Sequence, residues 1–121
     1  SNIVTMSFIN LFSEKSKEIF NSKIQLALSE ALQTSLQGYS ACQEGMRIRQ
    51  NRLTILKNNH FKKLFILGEK EPILPVKKGI KEAKETQSET VILSGGHMSH
   101  IENSDELIRV LNTFIRGSLS Y

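Results

Sequence analysis

With 121 residues, 39% of them hydrophobic, the chain is sized for one domain with a modest core. No apolar run approaches the roughly 20 residues that span a bilayer, and no signal-peptide pattern opens the sequence, so no membrane association is expected. The formal charge is +4, with lysines spread along the whole chain and one denser basic patch that could meet phosphates or anionic surfaces.

The chain starts at Ser1-Asn2 without a methionine, which reads as a cleavage scar or truncation. From residue 6 to about 58 the pattern is helical. Phe8, Leu11, Phe12, Ile19, Phe20, Ile24, Ala27, Leu28, Ala31 and Leu32 recur at threes and fours, the spacing of one buried helix face. Ser13 before an acidic turn is an expected N-cap, and Gly38 an expected stop. A further helical stretch carries Met46, Ile48, Leu53, Ile55 and Leu56. The single cysteine, Cys42, excludes an internal disulfide framework and fits a reducing compartment, so the expected location is cytoplasmic. Cys42 sits between Ala41 and Gln43 with no activating base in view, and is read as a small semi-buried thiol. Arg47, Arg49, Arg52 and Lys57 make a denser basic patch; without interleaved aromatics it reads as a solvated helix face, and no nucleic-acid partner is expected.

From Phe61 the period changes. Leu64-Phe65-Ile66-Leu67 is a continuous apolar run ending at Gly68, the signature of a buried parallel strand. Pro72 and Pro75 punctuate the following loop. Residues 76 to 86 read as a helix with Val76, Ile80 and Ala83 inward. Thr90-Val91-Ile92-Leu93 is a second apolar run, closed by Ser94-Gly95-Gly96. Residues 103 to about 116 form the last helix, with Asn103-Ser104-Asp105-Glu106 as a capping-box-like start and Leu107, Val110, Leu111, Phe114 and Ile115 as its apolar face. Strand, helix, strand, helix of these lengths predicts a right-handed βαβ unit and a parallel pair, an α/β class chain with a helical first half.

Each strand runs into a polar turn: Gly68-Glu69-Lys70-Glu71-Pro72 after the first, Gly96-His97-Met98-Ser99-His100-Ile101-Glu102 after the second. An acid and then a histidine therefore sit at the carboxyl ends of successive strands, where open α/β sheets gather their chemistry. Gly68-x-x-Glu71-Pro72-x-x-Pro75 followed by Gly96-His97-x-x-x-Ile101-Glu102-Asn103 resembles the final strands of the α/β-hydrolase fold. The resemblance covers residues 61 to 116, about half of the chain, and residues 1 to 60 are similar to the helical cap such enzymes insert before these strands. It implies a partial α/β-hydrolase fold: a cap-like segment over 1–60 and the last β-α-β-α part of the core over 61–121. By motif position His97 is the catalytic base and Glu71 the orienting acid.

The chemistry asks for those residue types. A serine hydroxyl needs a base within hydrogen-bond reach to take its proton, and imidazole titrates near the working pH. A carboxylate then fixes the tautomer and stabilises the imidazolium. Gly95 and Gly96 are expected to allow the tight turn that aims His97. The family usually places aspartate at the position of Glu71; glutamate is an accepted alternative, and Glu69 is a fallback. His97, His100 and Glu102 also have a chelating look, but a strand-to-helix loop is not the helical context of a zinc hydrolase, so no metal and no cofactor are expected. His100 and Glu102 are read as shaping the loop, and His60 as exposed.

The nucleophile is missing. Gly38-Tyr39-Ser40-Ala41-Cys42 is the only near match to Gly-x-Ser-x-Gly, and it lacks the final glycine and a preceding strand. The expectation is therefore the C-terminal part of an ester or acyl hydrolase, inactive alone, acting on a small-molecule substrate only in the complete enzyme. With two strands and uncovered apolar faces it is expected to self-associate. The alternatives are a non-enzymatic helical interaction module with a βαβ element, and a small basic nucleic-acid binder.

Overall fold

The computed structural model describes residues 2–118. Helices α1 (Asn2–Ile9), α2 (Glu14–Ile19), α3 (Asn21–Ala31), α4 (Leu36–Ile48) and α5 (Leu53–Lys57) come first. Strand β1 (Leu64–Gly68), helix α6 (Val76–Glu85), strand β2 (Glu89–Leu93), the short helix α7 (Ser99–Glu102) and helix α8 (Ser104–Ser118) follow. The class is mixed α/β: mostly helix, with one small parallel sheet.

The helical half is more broken than its periodicity suggests, because polar residues interrupt it locally. Ser13 does cap α2, its side chain accepting the Ser16 N–H. Gly38 does not stop a helix. The preceding helix already ends at Ala31, and Ser35 opens α4 by accepting the Gly38 N–H at 3.0 Å. Gly38 therefore lies in the first turn of the next helix, as the serine three residues earlier dictates. Cys42, expected half-buried, is exposed, because no part of α4 is buried.

Phe12, Ile24 and Ile101 make the buried cluster, with Phe8, Leu11, Phe20, Ala27 and Met98 packed around it. Phe8 and Phe12 meet at a ring-centroid distance of 5.6 Å in a tilted arrangement. Fully burying side chains such as Phe12 and Leu93 stabilises by about 1.5–3 kcal/mol each. One cluster thus joins α1–α3 to α7, so the helical half grips the segment after β2.

The sheet holds β1 and β2 in parallel, Leu64 opposite Glu89 through to Gly68 opposite Leu93. A parallel pair needs a crossover, which α6 supplies. Side chains alternate along a strand, so Phe65 and Leu67 share one face, and α6 lies on it. There a Cβ on Gly79 would come within 2.6 Å of Leu67 Cδ2, which is how close the helix approaches. Val76 and Ile80 are half-buried and Ala83 is buried, the inward face expected of this helix. Helix α6 ends in a Schellman turn: Ser88 N–H donates to the Ala83 carbonyl and Gln87 N–H to that of Lys84, with Gln87 at φ 53°. Leu64 and Val91 share the opposite face with Val110 and Phe114 of α8. Leu111 and Ile115, expected inward, are exposed.

Candidate active site

Strand register brings the two turns together. The parallel pairing continues past the strand ends: Glu69 N–H donates to the Leu93 carbonyl at 2.7 Å and Lys70 N–H to that of Gly95 at 3.0 Å. The next residue on one side is Glu71, and the next but one on the other is His97. Glu71 Oε2 and His97 Nδ1 lie 2.7 Å apart. Two side chains separated by 26 positions are placed by five rungs of ladder and two further turn bonds.

Glu71 is not a solvated loop residue. Its side chain is 10% exposed, and its Oε1 accepts the N–H groups of Ile73 at 2.8 Å and Leu74 at 3.3 Å. Pro72 and Pro75 restrict the loop to the conformation in which those amides turn back onto the carboxylate. One oxygen is thus fixed by its own loop and the other is offered to His97. Glu69, the fallback, lies exposed in the turn.

The backbone of His97 is held as firmly as its ring. Its N–H donates to the Leu11 carbonyl at 3.0 Å, from the loop between α1 and α2. Neither Gly95 nor Gly96 has a positive φ, so conformational freedom is not their role here. Close approach is. A Cβ on Gly95 would come within 2.8 Å of Glu102 Cβ, and one on Gly96 within 2.9 Å of Ser13 N. A Cβ on Gly68 would strike the Gly96 carbonyl oxygen. The Asn103 side chain accepts the Gly95 N–H at 3.0 Å and donates to Ser94 Oγ and Glu106 Oε2. The expected capping residue of α8 therefore stitches the glycine turn.

Glu102 is buried below this turn. Burial pushes its carboxyl up, but the backbone N–H of Ser13, the Ser16 hydroxyl and the N–H groups of Gly96 and Met98 together hold it below the ordinary carboxylate range. The sequence motif contains Glu102 but carries no signal that its partner would be Ser13, 89 positions away. Ser13 is legible only as a helix cap, and Leu11 only as a core residue.

A cavity of about 370 Å³ opens beside the pair, lined by Phe65, Leu67, Leu74, Val76, Glu71 and His97 among others. It lies along the edge of β1 that has no strand partner among the described residues. A larger apolar groove of about 630 Å³ runs between α1, the end of α3 and the start of α4, and Leu11 forms part of its wall. His100 is exposed and does not join His97, and His60 is exposed as well. Among the described residues no three histidine, cysteine or acidic side chains converge as a metal site would require. Ser40 is exposed in the middle of α4, a helical turn rather than a strand-to-helix elbow. In the basic patch, Arg47 forms a bidentate pair with Glu44, and Lys57 bonds Glu85 of α6 at 2.9 Å. No helix among the described residues is long and apolar enough to cross a membrane.

Compared with known proteins, the chain matches no family model and no curated sequence. The functional reading therefore stands on the pair and its surroundings.

Proposed function

We propose that this chain is the C-terminal part of an α/β-hydrolase-like enzyme that cleaves an ester or similar acyl bond, with His97 as general base and Glu71 as its orienting acid. The observation that carries the reading is the 2.7 Å contact between Glu71 Oε2 and His97 Nδ1 at the carboxyl ends of adjacent parallel strands. An ionised carboxylate only accepts, so a neutral imidazole facing it carries its proton on Nδ1 and presents Nε2 as a base. In the reaction Nε2 takes the proton of a serine hydroxyl supplied from outside residues 2–118 as its oxygen attacks the acyl carbon. Glu71 stabilises the imidazolium that forms. The imidazolium then protonates the leaving alcohol, and water resolves the acyl-enzyme by the same route in reverse. The chemistry uses no cofactor.

The apolar groove between α1, α3 and α4 supports a substrate with an apolar acyl part. In this reading the chain alone does not turn over.

The test uses the protein purified at its full natural length, assayed against short and medium-chain nitrophenyl esters and probed with a fluorophosphonate. One covalent adduct and ester turnover are expected. His97→Ala is expected to lower kcat about 10⁴-fold or more, and Glu71→Ala about 10⁴-fold. Unchanged hydrolysis in His97→Ala removes the base from the mechanism and the reading with it.

A further inference from the structure

Glu102 is acidic, buried and far in sequence from much of what it holds. Its Oε1 accepts the Ser13 N–H at 2.9 Å and its Oε2 the Met98 N–H at 3.1 Å. The Ser16 hydroxyl and the Gly96 N–H also donate to it. Gly96 and Met98 flank His97, whose own N–H is committed to the Leu11 carbonyl. The backbone around the imidazole is therefore tied to the α1–α2 loop once directly, from His97 itself, and on either side of it, at Gly96 and Met98, through one carboxylate. The packing leaves little slack: a Cβ on Gly96 would lie 2.9 Å from Ser13 N and 3.1 Å from Glu102 Oε2.

Burying a carboxylate is costly unless its oxygens are paired, and a well-packed apolar side chain often serves stability equally well. What an apolar side chain cannot do is gather donors from two separate loops onto one rigid group. None of the bonds of Glu102 reaches the imidazole, so its effect on the ring passes through the backbone.

We propose that Glu102 is the positioning residue of the Glu71–His97 pair, locking the Gly96–Met98 turn to the α1–α2 loop and so setting where the His97 ring stands against Glu71. The catalytic consequence rests on the hydrolase reading above; the geometric one does not.

Long-range proton–nitrogen NMR of the 121-residue chain distinguishes the two ring nitrogens of His97 without any substrate. The wild type is expected to show the neutral ring as the Nδ1–H tautomer, and Glu71→Ala to lose that signature. Glu102→Gln keeps the shape but turns an NH2 group toward one of the donors, and is expected to give a mixture of tautomers. Val91→Ala, which weakens the sheet without touching the turn, is expected to retain the wild-type signature. Where Glu102→Gln does not fold, Ser16→Ala, which removes one donor, is expected to erode the signature in part. Retention of the wild-type tautomer in folded Glu102→Gln, or in Ser16→Ala in its place, overturns the proposal. So does an equal loss in Val91→Ala, which marks a general effect of stability.

In an active full-length enzyme Glu102→Gln is expected to lower kcat about 10²-fold with little change in KM, the signature of a displaced base. A wild type without hydrolytic activity ends the hydrolase reading and leaves the tautomer result standing.

Discussion

Helix α4 and the β1–α8 segment both carry many apolar residues, yet only the second buries any of them fully, at Ala83, Leu93 and Ile101. In α4 no residue is buried, and Leu36 is 81% exposed. The helix stands on its Ser35 cap and on the Glu44–Arg47 pair, which are local. In β1–α8 the strands, glycine turns and carboxylates constrain one another across dozens of positions, and there Glu71 meets His97. Local signals make a helix; only non-local ones place a side chain to within hydrogen-bonding distance.

The sharpest way to break the comparison is one substitution made in both regions. Gly68→Ala drives a methyl group into the Gly96 backbone carbonyl and is expected to destabilise by about 3 kcal/mol. Gly45→Ala, inside α4 with nothing within 4 Å, is expected to stabilise by about 0.5–1 kcal/mol. Denaturant unfolding of both variants measures the difference, and a shared sign would erase the contrast.

Acid titration gives the next largest effect. The Glu102 carboxyl is held below its ordinary value of 4.5 in the folded chain. The unfolded chain therefore binds more protons as pH falls, so the stabilisation is full above about pH 4.5 and is lost as pH drops through the lower folded value. Glu102→Gln is expected to cost about 2 kcal/mol at neutral pH. The gap between it and the wild type should close in strong acid. A gap independent of pH would mean that the charge is not what matters.

The smallest change in stability, and the largest in assembly, belongs to the exposed surfaces. With β1 unpaired on one edge among the described residues and Leu36, Met46 and Ile48 uncovered, the chain is expected to associate at micromolar concentration. Leu36→Lys is expected to shift stability by no more than about 0.5 kcal/mol while weakening association. Sedimentation velocity reads this directly, and a wild-type monomer would refute it.

Much of the second half was legible in the chain. Continuous apolar runs at 64–67 and 90–93 mark strands, and the structure has β1 and β2 there, but β1 is half-buried and β2 largely exposed rather than covered on both faces. The inward face of α6 and the cap at Ser13 were also legible locally. Glu71 and His97 stood out as candidates because each follows a strand end.

The first half was harder to read. Its threes-and-fours spacing persists across breaks, so periodicity did not show that α3 ends at Ala31 or that Gly38 begins rather than ends a helix. Leu111 and Ile115 were expected inward because a helix pattern marks an apolar stripe without saying how much of it finds cover.

Local signals sufficed for the type and order of the elements from β1 onward and for the chemical character of the two turns, because these depend on side-chain period, capping and backbone restriction within a few residues. Tertiary structure alone decided that Glu71 rather than Glu69 reaches the ring, that Gly95 and Gly96 serve close packing instead of a left-handed turn, and that Glu102 binds Ser13. Those outcomes depend on strand register and on contacts spanning 26 and 89 positions, and no local pattern encodes such distances.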